Sequence, residues 1–274
     1  MGDGAAIRLV ALDVDGTVLM PDGEIAPSTV AAVAAARAAG VHVVLASSRG
    51  PVALERIQDR LGLRDEWFIG YQGALVARES DGELEVLSET LIGPADAREV
   101  EGRALAAGLS VGRYCGARWQ VPELTDAIRY EASTTGEGPI VSTAGDADLP
   151  AHKILVIADG TAPSTALPEL AAALPDTVTA TFSHPLYLEI TAAGVDKASG
   201  ITPLADRLGI PLDAIAAVGD GPNDLGLFAA VGHPVAMGQA PAEVRAAARW
   251  VTSTVTRDGV ARALVHLGVN ERAG

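Results

Sequence analysis

The sequence predicts an α/β protein whose parallel sheet is interrupted by an inserted α+β section. Three observations carry this. Short apolar runs alternate with helical segments at both ends of the chain, as βαβ units require. The strands of those ends are apolar throughout rather than alternating, as strands covered on both faces are. Between about residues 81 and 190, hairpin signals and short strands dominate, which points to an antiparallel sheet with its own helices. The 274 residues can bury a substantial core. The expected division is 1–80 with 191–274 for one domain and 81–190 for the insertion.

The elements follow in order. Leu9 to Asp13 is a strand of apolar bulk that ends in a carboxylate. "APSTVAAVAAARAAG" is a helix, with Pro27 at its first position, where no N–H is needed, and Gly40 as its stop. "VHVVLASS" is the next strand, "GPVALERIQDRLG" a helix ending at Gly62, and "WFIGYQGALVA" a third strand region. "ALVARESDGELEVLSET" reads as a hairpin around Asp81-Gly82. A helix follows near Ala95 to Ala107, then strand-like pieces at "SVGRYC", "RWQV" and "IRYEA". "STTGEGPIVSTAGDADLP" has the composition of a loop. "HKILVIA" is a strand, "APSTALPELAAAL" a helix, and "TVTATFS" with "LYLEIT" a hairpin. The alternation then resumes: helix "DKASGITPLADRLG", strand "AIAAVG", helix "NDLGLFAAVG", strand "PVAM", helix "PAEVRAAA", strand "RWVT" and helix "DGVARALVHLG".

Composition excludes several classes. The net charge of −15 argues against nucleic acid, which selects a basic footprint. No apolar run reaches the roughly 18–20 residues of a membrane helix, and the N-terminus lacks the basic start and apolar middle of a signal peptide. A cytoplasmic protein is expected. Cys115 is the single cysteine, so an internal disulfide and a thiolate cage are out of reach, and no neighbouring base marks it as a nucleophile. Lys153 and Lys197 are the only lysines among 20 basic residues, so each invites a reason.

The chemistry lies at strand ends. In "RLVALDVDGTVL", Asp13 and Asp15 point to the same side of the chain, just past a buried strand, where ligands bind in open α/β sheets. Two carboxylates so close do not both stay ionised without a cation. "AVGDGPNDLGLF" repeats the pattern: a strand ends at Gly219-Asp220, and Asn223 and Asp224 open a helix. Asp224 alone would read as a helix cap, but that leaves Asp220 unexplained. Carboxylates and an amide, with no His or Cys cluster, suit a hard cation such as Mg²⁺. Ser47, Ser48 and Arg49 end the second strand at the same sheet edge. Lys197 begins a helix, where the dipole disfavours a surface lysine.

These residues resemble a family. D-V-D-G-T at 13–17, the Ser47 strand end, Lys197 and G-D-G-P-N-D at 219–224 match in order and spacing the four motifs of the haloacid dehalogenase-like hydrolases. The place of the insertion is similar to the type-two cap of the Cof-type subfamily. "LYLEITAAGVDKASG", "VAMGQA" and "TRDGVARAL" resemble that subfamily's late signatures, so the likeness covers essentially the whole chain. It implies a Rossmann-like hydrolase core with an inserted cap, and a Mg²⁺-dependent phosphatase acting on a small phosphorylated metabolite. It further implies that Asp13 is the nucleophile that forms an aspartyl-phosphate, and that Asp15 is the acid/base. Mg²⁺ would be held by the Asp13 carboxylate, the Asp15 backbone carbonyl and Asp220, with Asp224 in support. Ser47, Lys197 and Asn223 would hold the phosphoryl oxygens, with Ser48 and Arg49 beside them.

Three departures bear on substrate choice. Ser47-Ser48-Arg49 stands where the subfamily commonly has Thr-Gly-Arg, Gln72-Gly73 where it has Asn-Gly, and Asp196-Lys197-Ala198 where it has Ser-Lys-Gly. Asp196 is expected to pair with a cation or cap its helix. The inserted section is expected to select the leaving group, with His184 and Tyr187 of "SHPLYLEI" offering polar edges. The alternatives are a sugar phosphomutase, for which Arg98, Arg103, Arg113, Arg118 and Arg129 are available, and a non-catalytic binding protein on the same fold. The expected partner is the metabolite alone, with neither nucleic acid nor membrane, in a monomer or homodimer.

Overall fold

A computed structural model describes residues 6–142, 148–160 and 162–269 of the chain. Residues 143–147, part of the expected loop "STTGEGPIVSTAGDADLP", lie outside the described residues. The chain forms two compact units. One comprises Met1–Arg49, Leu54–Ser88 and Asp196–Gly274, the other Gly50–Ala53 and Glu89–Val195.

The first unit is built on an eight-stranded sheet. Its strands are β1 (Leu9–Leu12), β2 (His42–Ala46), β3 (Phe68–Gly70), β4 (Leu75–Ser80) and β5 (Glu83–Glu89). After the second unit come β12 (Ile215–Gly219), β13 (His233–Ala236) and β14 (Trp250–Val251). The order is β14-β13-β12-β1-β2-β3-β4-β5. All strands from β14 to β3 pair in parallel, and β4 returns antiparallel to β3. The third strand region of the sequence is therefore two strands. A tight turn at Tyr71–Gly73 reverses the chain between them, and so short a connection allows only an antiparallel neighbour. The Asp81-Gly82 hairpin forms with both residues at positive φ, and it extends this sheet.

Helices α1 (Pro27–Ala38), α2 (Pro51–Leu61), α6 (Lys197–Leu208), α7 (Leu225–Ala230), α8 (Ala242–Ala247) and α9 (Gly259–His266) connect the strands. Leu9, Val10, Ala11 and Leu12 are wholly buried, so β1 is covered on both faces. Leu9, Ala11, Val44, Ile215 and Ala217 pack with Ile201, Leu204, Leu227 and Val244 from α6, α7 and α8 in one core. Each large aliphatic side chain so buried contributes roughly 1.5–3 kcal/mol.

The second unit holds α3 (Pro94–Ala106), β6 (Ser110–Cys115), β7 (Arg118–Val121), α4 (Asp126–Thr135), β8 (Ile140–Val141), β9 (Lys153–Ile157), α5 (Ala166–Ala172), β10 (Val178–His184) and β11 (Tyr187–Ala192). The strands form a largely antiparallel sheet in the order β10-β11-β9-β6-β7-β8. "IRYEA" is not a strand; it lies inside α4. The Thr125 hydroxyl accepts the Ile128 N–H at the start of that helix, and Gly136 closes it in the left-handed region. These cap signals outweigh the β propensity of Ile128 and Tyr130. Among the described residues, no helix is long and apolar enough to cross a membrane.

Candidate active site

In the first sheet, the chain passes from β1 to β2 on one side and comes back to β12 on the other. β1 is thus a switch point, and in open α/β sheets ligands bind beyond the C-terminal strand ends at such a point. Asp13, Ser47 and Asp220 begin the loops after β1, β2 and β12. Asp13 is anchored by its N–H to the Val218 carbonyl at 2.9 Å, and Ser47 by its N–H to the Ile69 carbonyl at 2.9 Å. Gly16 has φ +80, a conformation that side chains rarely adopt, and a Cβ there would stand 2.3 Å from Asp220 Oδ2 and displace that carboxylate.

The centre of the site is a buried ammonium. Lys197 has no exposed surface, and its Nζ donates to Asp13 Oδ1 at 2.5 Å and Asp224 Oδ1 at 2.6 Å. Asp196 caps α6 through the Ser199 N–H at 2.8 Å, which sets the helix start that aims Lys197 inward. Of its two expected roles, Asp196 takes the cap. Asp224 Oδ2 accepts the N–H groups of Asp220 and Gly221, each at 3.0 Å. Asp224 is therefore filled by protein donors, and it ties the β12 loop to Lys197.

Asp13, Asp220 and Asp224 bring carboxylate oxygens within 4.8 Å of one another. Burial raises the Asp13 carboxyl well above its usual range; Lys197 opposes this, while Asp224 and Asp220 add to it. Burial also raises Asp220. Burial pulls the Lys197 ammonium down, yet Asp13 and Asp224 more than reverse this and hold it charged. Three carboxylates facing one ammonium leave a negative excess, which a hard divalent cation would offset. The donor set thus fits a divalent metal.

Asp15 stands apart from this cluster. Arg49 holds its carboxylate in a fork, Nε to Oδ2 at 2.9 Å and Nη2 to Oδ1 at 2.7 Å. The Ser47 hydroxyl is buried and accepts the Arg49 N–H at 3.2 Å. Ser48 is half-buried beside it. Asn223 Nδ2 donates to Gln72 Oε1 at 3.4 Å. Tyr71 and Gln72 both have positive φ, 50° and 61°, and sit buried beside this edge. Their N–H groups bond the Arg49 and Ser47 carbonyls, which pins a costly backbone shape in place.

His184 and Tyr187 belong to the second unit, edge to face with ring centres 5.6 Å apart. Burial and Glu131, to which it hydrogen-bonds, push the Tyr187 hydroxyl up to about 12. Two residues of the first unit, given no site role by the sequence, bear on Asp220. Thr17 donates to Asp220 Oδ1 at 3.5 Å, and Gln239 reaches the same carboxylate from the loop after β13. Gln239 lies in "VAMGQA", just past a strand of the same sheet edge, and nothing local to it marks Asp220 as its partner.

A family model described as haloacid dehalogenase-like hydrolase matches residues 10–264. A phosphoglycolate phosphatase of Natronomonas pharaonis is 30% identical over 93% of this chain and 95% of its own. A provisionally named Bacillus subtilis phosphatase is 30% identical over 96% of this chain and 98% of its own. Among solved structures, a haloacid dehalogenase-like hydrolase from Bacteroides thetaiotaomicron superposes with a TM-score of 0.84 at 26% identity, covering 95% of this chain and 99% of its own.

Proposed function

Because the chain belongs to the haloacid dehalogenase-like hydrolases, we propose that it is a Mg²⁺-dependent phosphatase of a small phosphorylated metabolite. The observation that carries this reading is Lys197 buried between Asp13 and Asp224, with Asp220 beside them at the switch point. An Asp13 oxygen attacks phosphorus as the bond to the leaving oxygen breaks, which gives an aspartyl-phosphate. Asp15 supplies the proton that the leaving oxygen needs. Asp15 then takes a proton from water, which attacks phosphorus and releases phosphate from Asp13. Both Asp15 oxygens are engaged by Arg49, so each transfer needs Arg49 to yield part of its fork.

Asp13, the Asp15 backbone carbonyl and Asp220 would hold Mg²⁺, with Asp224 in support; the ion would offset charge on the phosphoryl oxygens. Ser47, Lys197 and Asn223 orient the phosphoryl group, and Ser48 and Arg49 border its place. Selection of the metabolite is assigned to the second unit, read as an inserted cap, with His184 and Tyr187 as its named residues. Names of relatives such as the phosphoglycolate phosphatase favour a small phosphate ester. Among the arginines a phosphomutase would need, Arg98 pairs with Asp148, Arg103 with Glu99 and Arg113 with Glu101, which favours hydrolysis.

Phosphate release from a panel of sugar, polyol and cofactor phosphates tests the reading. Turnover is expected with Mg²⁺, none after EDTA, and recovery on adding Mg²⁺ back. Asp13→Asn should stay folded and lose at least about 10³-fold in kcat, the scale expected for a lost nucleophile. Full activity without metal, or Asp13→Asn within tenfold of the wild type, would overturn it.

A further inference from the structure

We infer that Gln239 is a positioning residue that sets the Asp220 carboxylate for the metal; this rests on the divalent-cation reading above. The side chain has all its polar capacity directed. Oε1 accepts the Val255 N–H at 3.1 Å, which fixes the amide orientation and turns Nε2 toward the site. Nε2 then donates to the Gly16 carbonyl at 2.6 Å and to Asp220 Oδ2 at 3.2 Å. One amide therefore joins the loops after β1, β12 and β14, none of which is its neighbour in sequence.

The backbone that carries Gln239 is held as firmly. Met237 N–H bonds the Gly219 carbonyl at 2.9 Å, and Gly238 N–H bonds the Ser253 carbonyl at 3.0 Å. Gly238 allows no side chain, since a Cβ would lie 2.9 Å from the Thr252 carbonyl. The opposite oxygen of Asp220 takes the Thr17 hydroxyl at 3.5 Å. The carboxylate is thus oriented from two sides, with Gln239 the closer donor. A carboxylate that turns freely must be ordered when a cation binds, and one already oriented has less freedom to lose. Gln239 itself is exposed and touches neither Asp13 nor Lys197 directly among the contacts described, so it acts through Asp220.

Gln239→Leu keeps the size and removes all three hydrogen bonds. Metal-free protein is titrated with Mg²⁺ and with Mn²⁺ by calorimetry, and its metal-free Tm is recorded. Cation affinity should fall about tenfold, the low end for groups that orient metal ligands, with Tm little changed. In turnover of an aryl phosphate, the Mg²⁺ concentration for half activity should rise by the same factor, while kcat at saturating Mg²⁺ stays within about twofold. Val255→Pro is the second variant. It removes the N–H that fixes the amide at a position where the first turn tolerates proline, and should weaken cation binding in the same direction. Unchanged cation affinity in a folded Gln239→Leu protein overturns the inference alone. A wild-type protein that binds neither cation overturns the metal reading and this inference with it.

Discussion

An ammonium stripped of water loses several kcal/mol of hydration unless anions replace it. Lys197 obtains that replacement from Asp13 and Asp224, one on each side, and each of them is in turn buried by the same contact. Removing the cation strands two carboxylates. Lys197→Met should therefore destabilise the metal-free protein by about 3–5 kcal/mol, the range for breaking a buried pair, as read by urea denaturation. Added Mg²⁺ should recover part of that loss. The double change Lys197→Met with Asp224→Asn should cost less than the sum of the two singles, because the residues share one network. Additive losses would mean that the three groups do not act together.

Elements gain their positions from short, specific devices. The turn Tyr71–Gly73 strings together three residues at positive φ, and Gly73 at +108° faces the Asp196 carbonyl, which a Cβ would meet at 1.9 Å. Gly73→Ala should therefore push the α6 cap, and Lys197 with it, off position. Thermal melting should show a loss of at least about 2 kcal/mol, as buried clashes give, with kcat reduced as well. Thr125→Ala is the contrasting case. It removes the α4 cap and a 2.7 Å contact with the Ser110 hydroxyl. The loss should be about 1 kcal/mol with kcat on an aryl phosphate unchanged, since every residue placed at the first unit's site lies outside α4.

At the scale of the whole molecule, the second unit holds a buried imidazole that answers to pH. In the second unit, His152 is buried, its Nδ1 accepting the Gly116 N–H at 3.1 Å and its Nε2 3.2 Å from the Glu89 carboxylate. Burial lowers the imidazole below its ordinary range, against the pull of Glu89. The unfolded chain binds the proton more readily, near pH 6.5. The contribution of neutral His152 to stability is thus complete above that pH and shrinks as pH falls through it. Urea midpoints should drop from pH 7.5 to 5.5, and His152→Gln should flatten the drop. An unchanged slope in the variant would place the acid sensitivity elsewhere.

By itself, the sequence determined those features that neighbours along the chain decide. Strand β1 is legible because four apolar residues precede Asp13, and α1 because Pro27 and Gly40 bracket it. Asp13, Asp15, Asp220 and Asp224 stand out because acids at the ends of apolar strands conflict with burial, and Lys197 because lysine is so rare in this chain. "IRYEA" was misleading because five residues cannot report a cap that lies outside them. Only the tertiary structure decided who pairs with whom: Arg49 with Asp15 across 34 residues, Lys197 with Asp13 across 184, Gln239 with Gly16 across 223. A glutamine after a strand carries no local mark of its partners. Those partners are set by the order β13-β12-β1-β2, which brings distant loop ends to one edge. Strand order is a property of the closed sheet, and hydrogen bonds between its loops exist only once it has formed.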